Sequence, residues 1–233
     1  MKNKQQQFEI GIDEAGRGPL AGPVAVGVVL VPVHFDWNLI LGVNDSKQLK
    51  AEKREAIFCR ARDLQKQNKL QYAVSMVSAN IIDQRGIVSA VNLAMSRAFK
   101  KILSSSAIPR EPLEIGTRQG LVPAVSSTRQ GLVLEKVIVK LDGSLYAPAK
   151  FIHQETIIKG DAKEKVIGLA SIMAKVTRDR YMKKIATRPA FAVYDFARHK
   201  GYGTKIHHEA IAKNGLSPEH RATYCGNIKR VLQ

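Results

Sequence analysis

The sequence predicts an α/β domain followed by a small, basic, helical region at its C-terminal end. Short runs rich in Val and Ile, bounded by Gly and Pro, alternate along the chain with longer stretches whose apolar residues recur every three or four positions. The last third of the chain is much more basic than the rest. Strands that alternate with helices build a sheet covered by helices, which defines the fold class.

The strand pattern occurs in five runs, at 8–13, 23–31, 70–77, 136–142 and 155–161. The first two runs are separated by the short connection EAGRGPLAG, so we expect them to form a hairpin.

The helical pattern covers 47–67, 87–103 and 163–185, and two terminal helices are expected at 206–215 and 217–232. Asp45 or Ser46 is the expected N-cap of the first helix. Gly215 suits a C-cap, and Ser217 followed by proline suits an N-cap.

The chain divides into a main domain over 1–190 and a C-terminal region over 191–233. A surface insertion is expected at 105–134, because TRQGLV occurs twice there, at 117–122 and 128–133. Two short copies are too few for a repeat protein, so a local duplication within a loop is the better interpretation.

The charge balance points to a polyanionic partner. The 233 residues contain 37 Lys and Arg against 20 Asp and Glu, a formal charge of +17. Residues 150–233 alone hold 17 basic against seven acidic residues. Nucleic acid is the first candidate, and ribosome association or an anionic membrane surface are the alternatives.

Compartment and redox state follow from what the sequence lacks. Residues 1–10 show no apolar core of a signal peptide, and no window approaches the roughly 18 apolar residues of a membrane helix. We therefore expect a cytoplasmic protein without membrane contact. Cys59 and Cys225 have no metal-finger spacing, so two thiols are expected rather than a disulfide or a zinc site.

Acidic residues end three of the predicted strands: Asp13 with Glu14, then Asp142, then Asp161. An unpaired carboxylate is costly to bury in a sheet, so it sits at a strand end or faces a cation. Asp161 also precedes a helix, whose N-terminal dipole favours the ionised carboxylate. Taken singly, each Asp could instead be a turn or capping residue.

Asp13 and Glu14 are neighbours, and neighbours in a regular strand point to opposite faces of the sheet. They share one site only if the strand is already breaking at Glu14. The glycines at 16 and 18 indicate such a break.

Four carboxylates without a partnering Cys or His favour Mg²⁺ or Mn²⁺ over zinc. In two-metal sites such acids hold ions about 3.5–4 Å apart that activate water and stabilise a leaving oxygen. In so basic a protein, this combination indicates phosphodiester hydrolysis.

A series of motifs runs over residues 8–230, excepting the insertion. The first is the segment GIDEAGRGPLAGPVAVGVVL. The further motifs follow in order: NDSKQL, NIIDQRGIVSAVNLAMSRA, LDG at 141–143, KGD at 159–161, ASIMAKVTRDRYM at 170–182, HKGYGT at 199–204 and EHRATY at 219–224. Jointly these motifs resemble those of the ribonuclease HII family, and the first segment is similar to the first motif of that family.

The resemblance implies an RNase H-like fold with a mixed central β-sheet, the catalytic domain being 1–190 and the substrate-binding region 191–233. It implies cleavage of RNA in RNA–DNA hybrids and incision 5′ to ribonucleotides in duplex DNA, leaving 3′-hydroxyl and 5′-phosphate ends. The metal-binding and catalytic acids of the family map onto Asp13, Glu14, Asp142 and Asp161, with Mn²⁺ or Mg²⁺ as cofactor. We expect a monomer.

The resemblance also implies substrate-binding residues. Gly16, Arg17 and Gly18 correspond to a motif whose backbone binds the ribose 2′-hydroxyl, the one group that distinguishes RNA from DNA at a nucleotide. Tyr202 corresponds to a residue that packs on the following deoxyribose. Ser46 and Lys47 are candidate phosphate contacts at a helix start, although Ser46 alone is equally well explained as a cap.

Four further residues, Lys175, Arg178, His199 and Lys200, resemble family positions near the substrate. A basic solvated surface explains them nearly as well.

Three hypotheses are open at this point: a metal-dependent ribonuclease, a DNA-processing nuclease of the same fold, and a non-catalytic nucleic-acid-binding protein. The insertion bears on all of them, because a one-residue shift in the strand before Asp142 would turn that carboxylate away. KVIVKLDG follows the insertion intact, so we expect a looped-out excursion that leaves the strand in register.

Overall fold

The structure is a computed structural model that describes residues 7–43, 48–104, 134, 136–143 and 145–226. The expected cap at Asp45 or Ser46, the candidate contacts Ser46 and Lys47, and almost all of the insertion lie outside these residues.

A five-stranded mixed sheet forms the centre of the fold. Its strands are β1 (Phe8–Ala15), β2 (Val24–Pro32), β3 (Gln71–Val77), β4 (Val137–Asp142) and β5 (Gln154–Ile157). Their order across the sheet is β3-β2-β1-β4-β5. β1 pairs antiparallel with β2 and β2 with β3, whereas β1, β4 and β5 run parallel. The five predicted strands and the predicted hairpin are confirmed, except that the fifth strand ends at Ile157 and not at residue 161.

Six helices surround the sheet in the described residues: α1 (Ala51–Lys66), α2 (Ala79–Leu103), α3 (Gly160–Lys163), α4 (Lys165–Ala186), α5 (Phe196–His199) and α6 (Lys205–Asn214). Three-residue to six-residue 3₁₀ turns lie at Trp37–Leu39, Pro189–Tyr194 and Ala222–Tyr224. α1 begins four residues later than expected. α2 begins eight residues earlier, across a kink at Gly86, whose φ of 76° interrupts the helix.

The helix expected over 217–232 is wrong for its described part, which contains only the short 3₁₀ turn. The backbone of this segment pairs with the β1–β2 connection instead. The amide of Arg221 donates to the Leu20 carbonyl (2.8 Å), and the amide of Gly22 donates to the Glu219 carbonyl (2.7 Å). These tertiary hydrogen bonds take the backbone groups that a helix would have used.

Helices cover both faces of the sheet. α2 packs on one face through Met95 and Phe99, against the apolar side chains of β1, β2 and β4. The other face carries α4, which approaches the strands closely at two glycines. A Cβ on Gly11 would lie 2.2 Å from the Val166 carbonyl oxygen, and one on Gly27 would lie 2.3 Å from the Ala170 carbonyl oxygen. Within the described residues, no helix is both long and apolar enough to cross a membrane.

Gly11→Ala is expected to destabilise the protein by about 1–3 kcal/mol, because the added methyl must push the backbone of α4 off the sheet. Urea unfolding followed by circular dichroism measures this. Gly226→Ala is the matched control, because a Cβ there meets no atom within 4 Å. Equal stability of the two variants would mean that α4 does not depend on this close approach.

Candidate active site

Asp13 and Asp142 lie side by side at the ends of adjacent parallel strands. The β1–β4 register pairs Ile12 with Leu141, so the next residue on each strand is an aspartate. Residues in register point to the same face of a sheet, and here that is the α4 face on which Gly11 also lies. The insertion therefore leaves β4 in the register expected for it.

The Asp13 carboxylate is held in place from two sides. It is 5% exposed, and its Oδ1 accepts a hydrogen bond from the backbone amide of Glu14 (2.7 Å). Its side chain also hydrogen-bonds Ser171 of α4. The close approach of α4 at Gly11 and Gly27 is what brings this serine to the carboxylate.

Glu14 reaches the same edge of the sheet from the opposite face. β1 is not broken at Glu14, contrary to expectation, because it stays paired with β2 through Ala15. The pairing with β4 ends earlier, at Ile12. The end of β1 thus projects beyond its neighbour, and Glu14 lies in this projection with its Oε1 3.2 Å from the Arg17 guanidinium.

Asp161 does not end a strand, since β5 stops at Ile157 and Asp161 lies in the short helix α3. It is 5% exposed. The preceding residue ties this helix to the site, because the backbone amide of Gly160 donates to Asp142 Oδ1 (2.7 Å). Asp161 therefore directly follows Gly160, the residue whose amide binds the Asp142 carboxylate.

The acidic groups oppose one another's ionisation. Burial raises the pKa of Asp13 well above its usual value, and the negative charges of Glu14 and Asp142 raise it further. Burial also raises the pKa of Glu14, assisted by Asp142 and opposed by Arg17. A bound cation would relieve this repulsion.

The donor set fits a hard divalent cation, because all four candidate ligands are carboxylates. Among the described residues, no group of three or more His, Cys, Asp or Glu side chains is gathered tightly enough to hold a metal ion. The argument that a divalent cation fits this site therefore depends on the carboxylate chemistry and on the mutual repulsion of these acids. The nearby Lys140 ammonium is paired with Glu9 (3.2 Å) and Glu164 (2.9 Å).

A buried arginine, Arg221, holds the glycine-containing turn that follows Glu14. It is 0% exposed, and its guanidinium donates to the carbonyls of Gly16 (2.6 Å), Arg17 (2.8 Å) and Gly22 (2.9 Å). Gly16 has a φ of +89° and lies where a Cβ would be 2.0 Å from Nε of Arg178. Gly16 is therefore required by the fold itself.

A second buried arginine, Arg178 of α4, continues this anchoring. It donates to the carbonyls of Pro23 (2.8 Å), Ala21 (3.0 Å) and Lys200 (3.0 Å). The alternative explanation, a basic solvated surface, is thus wrong for Arg178, which is 0% exposed, and for His199, which is 8% exposed. The helical spacing could have predicted the burial of Arg178, since this residue lies four positions from both Ala174 and Met182 on the buried face of α4.

Tyr202 lies beside the same connection. Its side chain is exposed, and its ring centroid is 5.5 Å from Lys175 Nζ and 5.6 Å from Arg178 Cζ. The preceding carbonyl, of Gly201, accepts from the amides of Leu20 (2.9 Å) and Ala21 (3.2 Å). Tyr202 and the Gly16–Gly18 turn are therefore attached to one short segment.

Cys59 and Cys225 are free thiols, as expected.

Solved structures identify the class to which this fold belongs. The chain is similar to the ribonuclease H2 of Pyrococcus horikoshii OT3, with a TM-score of 0.63 and 25% identity over 96% of this chain and 98% of that one. It is also similar to Bst-RNase HIII, solved in complex with Mn²⁺, with a TM-score of 0.66 and 16% identity over 99% and 72%. The fold is RNase H-like.

The sequence comparisons narrow the class to one family. The family model described as Ribonuclease HII matches residues 10–227. A Ribonuclease HII of Endomicrobium trichonymphae is 42% identical over 92% of this chain and 83% of its own length. The chain belongs to the ribonuclease HII family, and it is a ribonuclease that requires a divalent metal ion.

Asp13→Asn is expected to stabilise the metal-free protein at pH 7–8. The folded-state pKa of Asp13 is raised, so its ionisation destabilises the fold as the pH rises above the usual range of aspartate. Urea unfolding in a chelator from pH 4 to pH 8 measures the difference, which should widen with pH. Asp63→Asn, in an exposed pair on α1, is the control. A variant less stable than the parent at pH 8 contradicts the predicted repulsion.

Proposed function

We propose that this protein cleaves the RNA strand of RNA–DNA hybrids and incises duplex DNA 5′ to embedded ribonucleotides. The observation that carries the proposal is the position of the acids beside the Gly16–Gly18 turn. Asp13 and Glu14 lie in the last three residues of β1, and Gly16 directly follows the last residue of this strand, Ala15. The groups for hydrolysis and those that would recognise the ribose thus belong to one continuous segment.

The acids Asp13, Glu14, Asp142 and Asp161 are the proposed ligands of two Mn²⁺ or Mg²⁺ ions. When bound, such ions lower the pKa of a water molecule and stabilise the leaving oxygen, which would leave 3′-hydroxyl and 5′-phosphate ends. The protein keeps the site ready for cations: Ser171 and the Glu14 amide orient Asp13, and the Gly160 amide orients Asp142.

Gly18 supports the proposed ribose contact in a way that Gly16 does not. A Cβ on Gly18 would meet no atom within 4 Å, so nothing in the fold itself demands glycine there. A glycine without a packing reason suits a backbone that a ligand approaches closely. Arg221 donates to the carbonyls of Gly16 and Arg17 and so fixes the conformation of the turn that would contact the 2′-hydroxyl.

Tyr202 is the proposed contact to the deoxyribose that follows the ribonucleotide. Its exposed ring stands among the cationic groups of Lys175 and Arg178, and an aromatic face packs well on a sugar without a 2′-hydroxyl. We further propose that residues 191–233 bind the duplex and that the protein acts as a cytoplasmic monomer in removing ribonucleotides from DNA. The basic charge of this region supports the duplex contact.

Cleavage of a labelled DNA duplex with one ribonucleotide tests the proposal directly. With Mn²⁺ or Mg²⁺ we expect incision 5′ to the ribonucleotide. Asp13→Asn, Glu14→Gln, Asp142→Asn and Asp161→Asn should each lower the rate by about 10²-fold or more, because lost metal contacts remove several kcal/mol of transition-state stabilisation. Incision in chelator, or undiminished incision by these variants, contradicts the two-metal site. Cleavage of all-DNA branched substrates would instead favour a DNA-processing nuclease.

Gly18→Ala separates ligand contact from folding. The thermal unfolding midpoint should stay unchanged, because the methyl enters open space. Incision should fall by about tenfold or more, because the methyl occupies the proposed place of the ribose. Gly16→Ala, in contrast, should lower the unfolding midpoint, because its methyl meets Arg178. Full activity of Gly18→Ala shows that the ribose does not approach there.

A further inference from the structure

Three buried histidines, His199, His207 and His220, form a cluster behind Tyr202. Their exposed fractions are 8%, 0% and 4%. The rings of His199 and His207 stack at 4.2 Å between centroids, and His207 Nε2 lies 3.0 Å from His220 Nε2. Buried polar rings need hydrogen-bond partners, and the partners of these three rings indicate the role of the cluster.

The hydrogen bonds of His220 and His207 leave one arrangement of protons. The backbone amide of Ser217 donates to His220 Nδ1 (2.8 Å), so the proton of His220 is on Nε2. That proton is donated to His207 Nε2, which must therefore be bare. His207 then carries its proton on Nδ1 and donates it to the carbonyl of Tyr202 (2.9 Å). A directed chain thus runs from Ser217 to the backbone of Tyr202.

His199 holds the other side of the same turn. Its Nδ1 accepts from the amide of Gly201 (3.1 Å), and its Nε2 donates to the Tyr194 carbonyl (2.7 Å). The turn itself contains two left-handed residues in succession, Lys200 (φ 53°) and Gly201 (φ 83°). A non-glycine residue persists in this conformation only where its surroundings determine it.

We infer that His207 and His220 are positioning residues for Tyr202, fixing the backbone from which its ring projects. The inference rests on the proposed function, in which that ring contacts the deoxyribose. The residue after His220 is Arg221, which holds the Gly16–Gly18 turn. Two adjacent side chains thus hold the two elements proposed to recognise the ribose and the deoxyribose, and so set their spacing.

The chain of hydrogen bonds requires neutral rings. A second proton on His207 would face the Nε2 proton of His220, and one on His220 would face the Ser217 amide. Burial lowers the pKa of both His207 and His220 to about 4, so both stay neutral in ordinary buffers. The charged or titratable groups that face the cluster are Asp195, Arg198 and Lys200 near His199, His208 near His207, and the ring of Tyr194 against His220.

The unmodified protein provides the first test. In ¹⁵N spectra of the imidazoles at pH 7, His207 should be protonated on Nδ1 only and His220 on Nε2 only. The opposite form of His207 would overturn the inference, because that ring could not donate to Tyr202. This measurement requires no variant to fold.

Substitution of His207 provides the second test, with the full chain and ¹³C-labelled tyrosine. His207→Leu removes the donor, whereas His207→Asn retains an amide N–H close to the Nδ1 position; His34→Gln, at an exposed histidine, is the control. His207→Leu should shift the Tyr202 ring resonance. It should also lower incision at a single ribonucleotide, relative to cleavage of a uniform RNA–DNA hybrid, by about tenfold. His207→Asn should restore much of both.

The outcomes distinguish this inference from the proposed function. A folded His207→Leu protein with an unmoved Tyr202 resonance overturns the positioning role, as does an equal loss on both substrates. If Tyr202→Ala leaves the substrate ratio unchanged, the proposed contact of Tyr202 fails. The ring resonance then still decides whether His207 positions that residue.

Discussion

Two buried guanidinium groups hold the segment on which the rest of the site depends. Arg178 and Arg221 donate to carbonyls of the β1–β2 connection that no strand or helix would satisfy. A turn with left-handed glycines cannot hold its own shape, because those residues have the widest choice of backbone conformations. The planar, five-donor arginine side chain can bind several carbonyls at once. This contact joins α4 and the C-terminal segment to the end of β1.

The acidic end of β1 imposes a second constraint. Its carboxylates are suited to binding cations, but when no cation is bound their ionisation destabilises the folded chain. The pKa of both Asp13 and Glu14 is raised by burial and by neighbouring negative charge. The parallel pairing of β1 with β4 makes this proximity unavoidable, because it brings the two carboxyl ends to one edge. Close contact of α4 at Gly11 and Gly27 then shields Asp13 from water.

Much of the fold could be predicted, because strands and long helices repeat their apolar residues regularly. The five strands, the hairpin and the helices over 87–103 and 163–185 were of this kind. The errors fall where tertiary hydrogen bonds override local preference. Residues 217–226 have the composition of a helix start yet pair with Leu20 and Gly22, and β1 continues through Glu14 because β2 keeps pairing with it.

The sequence by itself determined the family, because the motifs depend on residue type and spacing along the chain, and the resemblance to that family implied the mixed sheet. The sequence also predicted the four candidate acids. The tertiary structure alone decided that Asp13 and Asp142 share one face, that Glu14 reaches the edge from the other, and that Asp161 enters on a short helix. It also decided that Arg178, Arg221 and the three histidines are buried and hold the backbone. A charged side chain looks the same in sequence whether it faces water or binds carbonyls, and only the packing around it distinguishes the two.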